Sequence, residues 1–228
     1  THLIVPYFIT VGGEIKRPEH LIAWWSRIFS FYVPDDKDHH DLRSLCRLFR
    51  DALKPPPLWT TYPHPNYPTL TRLTNQLNSV YQKDPTKAPK IVFVMKGTFQ
   101  NINNTITRNV VIKYPMKIIG AGQNKTIFFG FGFEIQGKKE EGKRVVLKNM
   151  TMKESKSFGL YNNNGGLSFL CDSMTFTQCR SNGVLAKNTK GRLINCVITQ
   201  CGGSGIFCYG NALIELEGDQ TKVDGNGT

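Results

Sequence analysis

The chain has 228 residues with 29 Lys+Arg against 17 Asp+Glu, a formal charge of +12, and 39% apolar content. That length builds a sizeable core in one large domain or two small ones. Its apolar runs, such as 91–95 and 127–129, fall far short of the ~20 residues of a membrane-spanning helix, and 11% aromatic content argues against a disordered chain. No basic stretch followed by an apolar one marks a secretory leader, and the repeat described below is interrupted by the last residue, so the sequence reads as a piece of a longer protein.

The chain order begins with a leader of unknown structure, 1–16. Residues 17–53 read as helices. Pro18 suits the first helical position, and Glu19 sits at the positive end of the helix dipole. Leu21, Ile22, Trp25, Ile28 and Phe29 keep helical spacing; after a break at 34–36, Leu42, Leu45, Cys46, Phe49 and Leu53 form a second stripe. So few amphipathic turns do not bury a core alone, and part of this surface is expected to pack on another domain or protein.

Residues 54–68 (KPPPLWTTYPHPNYP) hold six prolines and read as an extended connector. Residues 69–83 place Leu70, Leu73, Leu77, Val80 and Tyr81 on one helical stripe with Thr69 as N-cap; Pro85 and Pro89 stop the helix. From Ile91 the pattern changes to short β-runs punctuated by Gly and Asn.

Within that second part three segments superpose: LKNMTMKESKSFGL at 147–160, CDSMTFTQCRSNGV at 171–184 and LINCVITQCGGSGI at 193–206. Ser155, Cys179 and Cys201 fall in register, as do Gly159, Gly183 and Gly205, at intervals of 24 and 22. A fourth ending follows at 223–227. This period, made of β-runs and Gly/Asn turns, is that of one coil of a parallel β-helix. Inward side chains then stack on the same position one coil away, about 4.8 Å off. Gly is expected where a corner needs positive φ or close backbone approach, and Asn162–Asn164, Asn182, Asn188 and Asn211 are expected at turns.

Of the six cysteines, five lie in strand-like apolar surroundings, where the residue behaves as a small hydrophobe. Their spacing leaves disulfides open but favours reduced thiols, and no spacing fits a metal centre. Residues 138–156 carry seven Lys/Arg against three Glu. Without interleaved aromatics this basic stretch reads as a solvated face, so nucleic acid is not an expected partner. The carboxylates after 134 form no column in the repeat, and no histidine follows His64. The expectation is therefore no catalytic residue, no metal and no cofactor among these residues, although coils beyond them are able to hold an active site.

Two resemblances organise these observations. Residues 69–128, with the helix, the strand 91–99 and the strands 110–127 closing on Gly120 and Gly122, resemble the entry of pectin-lyase-like right-handed parallel β-helices. Residues 17–60 resemble the F-box at Pro18-Glu19, Ile28-Phe29-Ser30-Phe31, Leu42, Leu45-Cys46-Arg47, Phe49-Arg50, Leu53 and Leu58-Trp59. Arg17 stands where that family opens with Leu, and 35–41 make a longer, more charged middle loop.

The combined resemblance implies a mainly β fold: a small α-helical F-box-like segment at 17–60, a Pro-rich connector and capping helix at 61–90, and a right-handed parallel β-helix (solenoid) at 91–228, truncated at its C-terminus. It also implies a noncatalytic substrate-recognition adaptor of a Skp–cullin–F-box ubiquitin ligase in the cytoplasm or nucleus. A Skp-type adaptor protein would dock on Pro18, Glu19, Leu21, Ile22, Ile28, Phe29, Leu42, Leu45, Phe49, Leu53 and Trp59, and the solenoid would bind an unknown protein substrate. The alternative is a carbohydrate-active or carbohydrate-binding β-helix protein. The excess of eight positive charges over 91–228 suits a polyanionic glycan.

Overall fold

A computed structural model describes residues 59–100, 109–139, 142–162 and 166–227. All of them fall in the unit Pro56–Thr228. It is a parallel β-solenoid of about five turns with one helix.

The chain enters through β1 (Trp59–Tyr62), forms α1 (Leu70–Lys83), and then winds through β2 (Ile91–Val94), β3 (Gly97–Gln100), β4 (Val110–Ile112), β5 (Lys117–Ile119), β6 (Thr126–Phe129) and β7 (Phe133–Ile135). The later coils are β8 (Arg144–Lys153), β9 (Leu160–Asn162), β10 (Ser168–Thr177), β11 (Val184–Lys187), β12 (Lys190–Ile194), β13 (Val197–Thr199), β14 (Ile206–Tyr209), β15 (Leu213–Glu217) and β16 (Lys222–Asp224). Every pairing between these strands is parallel, each strand meeting its counterpart one coil away.

Three faces result. The first runs β1-β2-β5-β8-β10-β12-β15. The second joins β3 to β6 and β6 to the far half of β8, then continues through the far half of β10 to β13 and β16. The third runs β4-β7-β9-β11-β14. In β8 and β10 the first two faces are one continuous strand, bent at Asn149 and Ser173.

The core is a set of side-chain columns along the coil axis. Ile118, Leu147, Cys171 and Leu193 stack on the first face, Phe128, Met152, Phe176 and Ile198 on the second, and Phe133, Leu160 and Val184 on the third; all are fully buried. Period-2 alternation explains why each strand supplies both a buried and an outward row. Each fully buried large side chain contributes roughly 1.5–3 kcal/mol, so repetition of one modest column, rather than one large centre, holds the unit together.

The corners answer the glycine expectation in an unexpected way. Left-handed φ values fall on Asn149, Ser173 and Asn195 at one corner and on Glu154, Gln178 and Gln200 at the next. Gly159, Gly183 and Gly205 do stack: the amides of Leu160 and Val184 donate to Gly183 O and Gly205 O. Their requirement is close approach rather than positive φ, because a Cβ on Gly159 or on Gly183 would lie 2.7 Å from the next glycine's carbonyl oxygen. Of the expected turn asparagines, Asn188 is left-handed, whereas Asn162 ends β9 as a buried residue.

Helix α1 lies where expected. The Thr69 side chain accepts from the Arg72 amide at 3.2 Å as N-cap, and Leu70, Leu73 and Leu77 are buried. Asn78 reaches the edge strand β4, its amide donating to Val111 O at 2.8 Å and its carbonyl oxygen accepting from the Lys113 amide at 3.0 Å. Tyr81 stacks on Tyr114 at 4.3 Å, and the Tyr114 hydroxyl donates to Pro89 O at 2.6 Å. Burial, the first cause, and then Tyr81 push the Tyr114 phenol well above its ordinary pKa. Tyr114→Phe is expected to cost about 1–2 kcal/mol in urea unfolding, because the buried Pro89 carbonyl loses its donor.

The solenoid starts earlier than Ile91. β1 pairs in parallel with β2, Trp59 opposite Ile91 and Tyr62 opposite Val94, so the strand crosses the expected boundary at residue 60. Aromatic and threonine residues favour extended backbone despite the flanking prolines. The remainder of the F-box-like segment lies outside the described residues.

Candidate recognition surface

Of the residues expected to bind a partner, Pro18, Glu19, Leu21, Ile22, Ile28, Phe29, Leu42, Leu45, Phe49 and Leu53 lie outside the described residues. Trp59 lies in β1, 8% exposed, its ring edge-on to Phe93 at 6.4 Å. It thus belongs to the outward row of the first coil.

On the first face the outward rows are mixed. Lys148 on β8 pairs with Asp172 on β10 at 2.5 Å, and Arg192 on β12 pairs with Glu217 on β15. Hydrogen bonding from Arg192, and secondarily its charge, holds Glu217 below the ordinary glutamate pKa. The pair's contribution is therefore present above that range and is lost as pH falls through it. Cross-coil pairs of this exposure set register more than they add stability.

The third face differs. Register places Glu134, Tyr161, Leu185 and Phe207 in one outward column and Lys187 and Tyr209 in the neighbouring one. Phe158 stacks on Tyr161 at 5.0 Å and 25°. Phe207 is 45% exposed and 5.7 Å from Tyr209, and Lys187 Nζ lies 5.2 Å from the Tyr209 ring centroid. The corner that leads into this face carries exposed Lys156 and Arg180 at equivalent positions of successive coils. The Glu134 carboxylate accepts from Gln136 at 2.5 Å. The result is an aromatic and aliphatic strip with Lys156 and Arg180 along one margin and Lys187 along the other.

The chemistry-bearing groups elsewhere are inward. Among the described residues all five cysteines are free thiols, and Cys171, Cys179, Cys196 and Cys201 are buried. Burial pushes the Cys171 thiol up and raises Cys196 to about 11. Cys179 and Cys201 stack in adjacent coils as the repeat predicts. Their thiols donate to Thr177 O and Thr199 O, and the adjacent Cys201 thiol, together with burial, pushes the Cys179 thiol up. Cys208 is exposed. Cys208→Ser is expected to remove one fast-reacting thiol from the native count with an aromatic disulfide reagent, the buried four reacting only on unfolding.

Among the described residues no group of three or more His, Cys, Asp or Glu side chains is placed to hold a metal ion, and no helix is long and apolar enough to cross a membrane. Glu215 and Glu217 alternate outward on β15, Asp219 falls beyond the strand, and Glu217 is taken by Arg192. Nothing in the residue types marked the third-face strip. Tyr161, Leu185 and Phe207 look like ordinary strand residues, and only the coil register aligns them.

Fold and surface together define a parallel β-solenoid with an outward aromatic strip. Comparison with protein-family models, with curated proteins and with solved structures finds no match to the chain.

Proposed function

We propose that the chain is a noncatalytic substrate-recognition adaptor of a Skp–cullin–F-box ubiquitin ligase, acting in the cytoplasm or nucleus. Residues 17–60 dock on the Skp-type adaptor through Leu21, Ile28, Phe29, Leu45 and Phe49, and the solenoid presents the substrate-binding surface. The observation that carries the recognition half is the third-face strip, where Tyr161, Leu185 and Phe207 stand in one outward column beside exposed cations. Aromatic side chains on a rigid sheet are suited to protein contacts because little side-chain entropy is lost when they are covered. The docking half rests on the F-box resemblance.

The test is capture of a Skp-type adaptor by the full chain. Wild type is expected to retain it, and Phe29→Ala to reduce retention by about tenfold or more. Equal recovery with both, or none with wild type, removes the adaptor reading. A carbohydrate-binding solenoid is the second reading, because the same cation-flanked aromatic strip suits an anionic glycan; it calls for tight binding to polygalacturonate.

A further inference from the structure

We infer that the third-face strip binds an acidic, extended polypeptide segment whose apolar or aromatic side chains lie on the strip and whose carboxylates meet the marginal cations. This rests on the adaptor reading above and names the partner class of its recognition surface.

The floor of the site is Tyr161, Leu185 and Phe207, set in successive coils by the pairing of β9, β11 and β14. Neighbouring coils are about 4.8 Å apart, so the three side chains form a strip about 10 Å long across which an extended segment sets down two or three side chains. Leu185 is 7% exposed between its neighbours, whereas Phe207, on the outermost strand of this face, is 45% exposed, so the floor is filled at its centre.

Charge selects the occupant. Lys156 and Arg180 stand exposed on the corner along one margin, and no ion pair to either occurs among the described residues; Lys187 lies along the other margin, over the Tyr209 ring. The carboxylate in the floor column, Glu134, is already engaged by Gln136. The net field is positive, which favours an acidic segment and raises its rate of encounter. The aliphatic Leu185 at the centre, flanked by a Phe, favours apolar side chains over the hydroxyl-rich faces of sugars.

The experiment uses the full chain and three immobilised polymers: a random glutamate–tyrosine copolymer, polyglutamate of equal length, and polygalacturonate. The copolymer is expected to bind about tenfold more tightly than polyglutamate, because stacking adds to charge. Arg180→Glu and Phe207→Ser are each expected to weaken it by about tenfold. The double reversal Lys117→Glu/Lys190→Glu, on the first face, removes the same kind of charge elsewhere and is expected to stay within about threefold of wild type.

Equal affinity for copolymer and polyglutamate, or an equal loss in the first-face control, overturns the inference by showing unspecific attraction. Polygalacturonate binding more tightly than the copolymer, and lost with Phe207→Ser, also overturns it and assigns the strip to a glycan. Skp capture is measured on the same proteins. Loss of capture with copolymer binding intact defeats the adaptor reading and leaves the strip standing, while capture without copolymer binding defeats the strip alone.

Discussion

Gly132→Ala is expected to cost more than about 3 kcal/mol, or to prevent the coils from closing at all, while Gly130→Ala two residues earlier costs about 1–2 kcal/mol. The two glycines are required for different reasons. Gly130 has φ +86 with nothing within 4 Å of an added Cβ, so alanine there meets only the strain of left-handed backbone. An added Cβ on Gly132 would stand 2.0 Å from the Phe158 carbonyl oxygen and 2.6 Å from that of Gly159. Both obstacles are backbone of the next coil, and neither is able to swing aside. The Gly132 carbonyl also accepts from the Val110 amide, and Gly159 O accepts from the Phe133 amide, so moving the coils apart sacrifices the ladder on both sides of Gly132. Urea unfolding followed by far-ultraviolet circular dichroism measures both variants. A Gly132→Ala protein within about 1 kcal/mol of wild type would show that the coils are less closely packed at this corner than the register requires.

The same corner shows what was legible in the sequence. Gly159, Gly183 and Gly205 recur with an apolar residue after each, and that recurrence suffices to place them in one column. Gly132 belongs to the column too, but β7 carries no Cys or Ser marker and its interval from Gly159 is longer, so the repeat conceals it. Thr69 and the leucine stripe of α1 were readable because capping and helical spacing are local. The left-handed corners at Glu154, Gln178 and Gln200 were not, since nothing in glutamate or glutamine favours positive φ; the coil imposes it through hydrogen bonds from their amides to Thr177 O and Thr199 O one coil on, as Glu154 and Gln178 show. β1 was hidden by its prolines. The third-face strip was hidden for another reason: outward residues of a solenoid have no signature until three coils are in register. The expected Skp-docking positions from Pro18 to Leu53 lie outside the described residues, and the sequence resemblance alone supports them.

A second large effect is expected one coil away, at the edge of the third face, where Asn78→Leu should cost about 2–4 kcal/mol although it replaces a polar residue by a better helix former. Among the described residues β4 is the edge strand of the third face, and its far side offers backbone groups that no described strand pairs. Asn78 takes the place of that coil. Its side-chain amide is a peptide group in miniature, and it donates to Val111 O and accepts from the Lys113 amide as a strand would. Asn78 is 5% exposed, so water is poorly placed to substitute for it. Leucine has the same number and branching of side-chain heavy atoms but larger methyl groups, so some overpacking adds to the loss of the two hydrogen bonds; each buried backbone group left without a partner costs about 1–3 kcal/mol. Asn78→Asp provides the internal control, because aspartate keeps the acceptor for Lys113 and loses only the donor to Val111. At neutral pH it should fall below wild type, and protonation of the carboxyl, which restores a donor, should recover part of the difference as pH drops. Hydrogen exchange at the Lys113 amide reads the local consequence directly: it should accelerate in Asn78→Leu and stay slow in Asn78→Asp. Unchanged exchange in the leucine variant would mean that α1 caps the solenoid through its apolar stripe alone, and that an edge strand tolerates burial with its backbone unpaired.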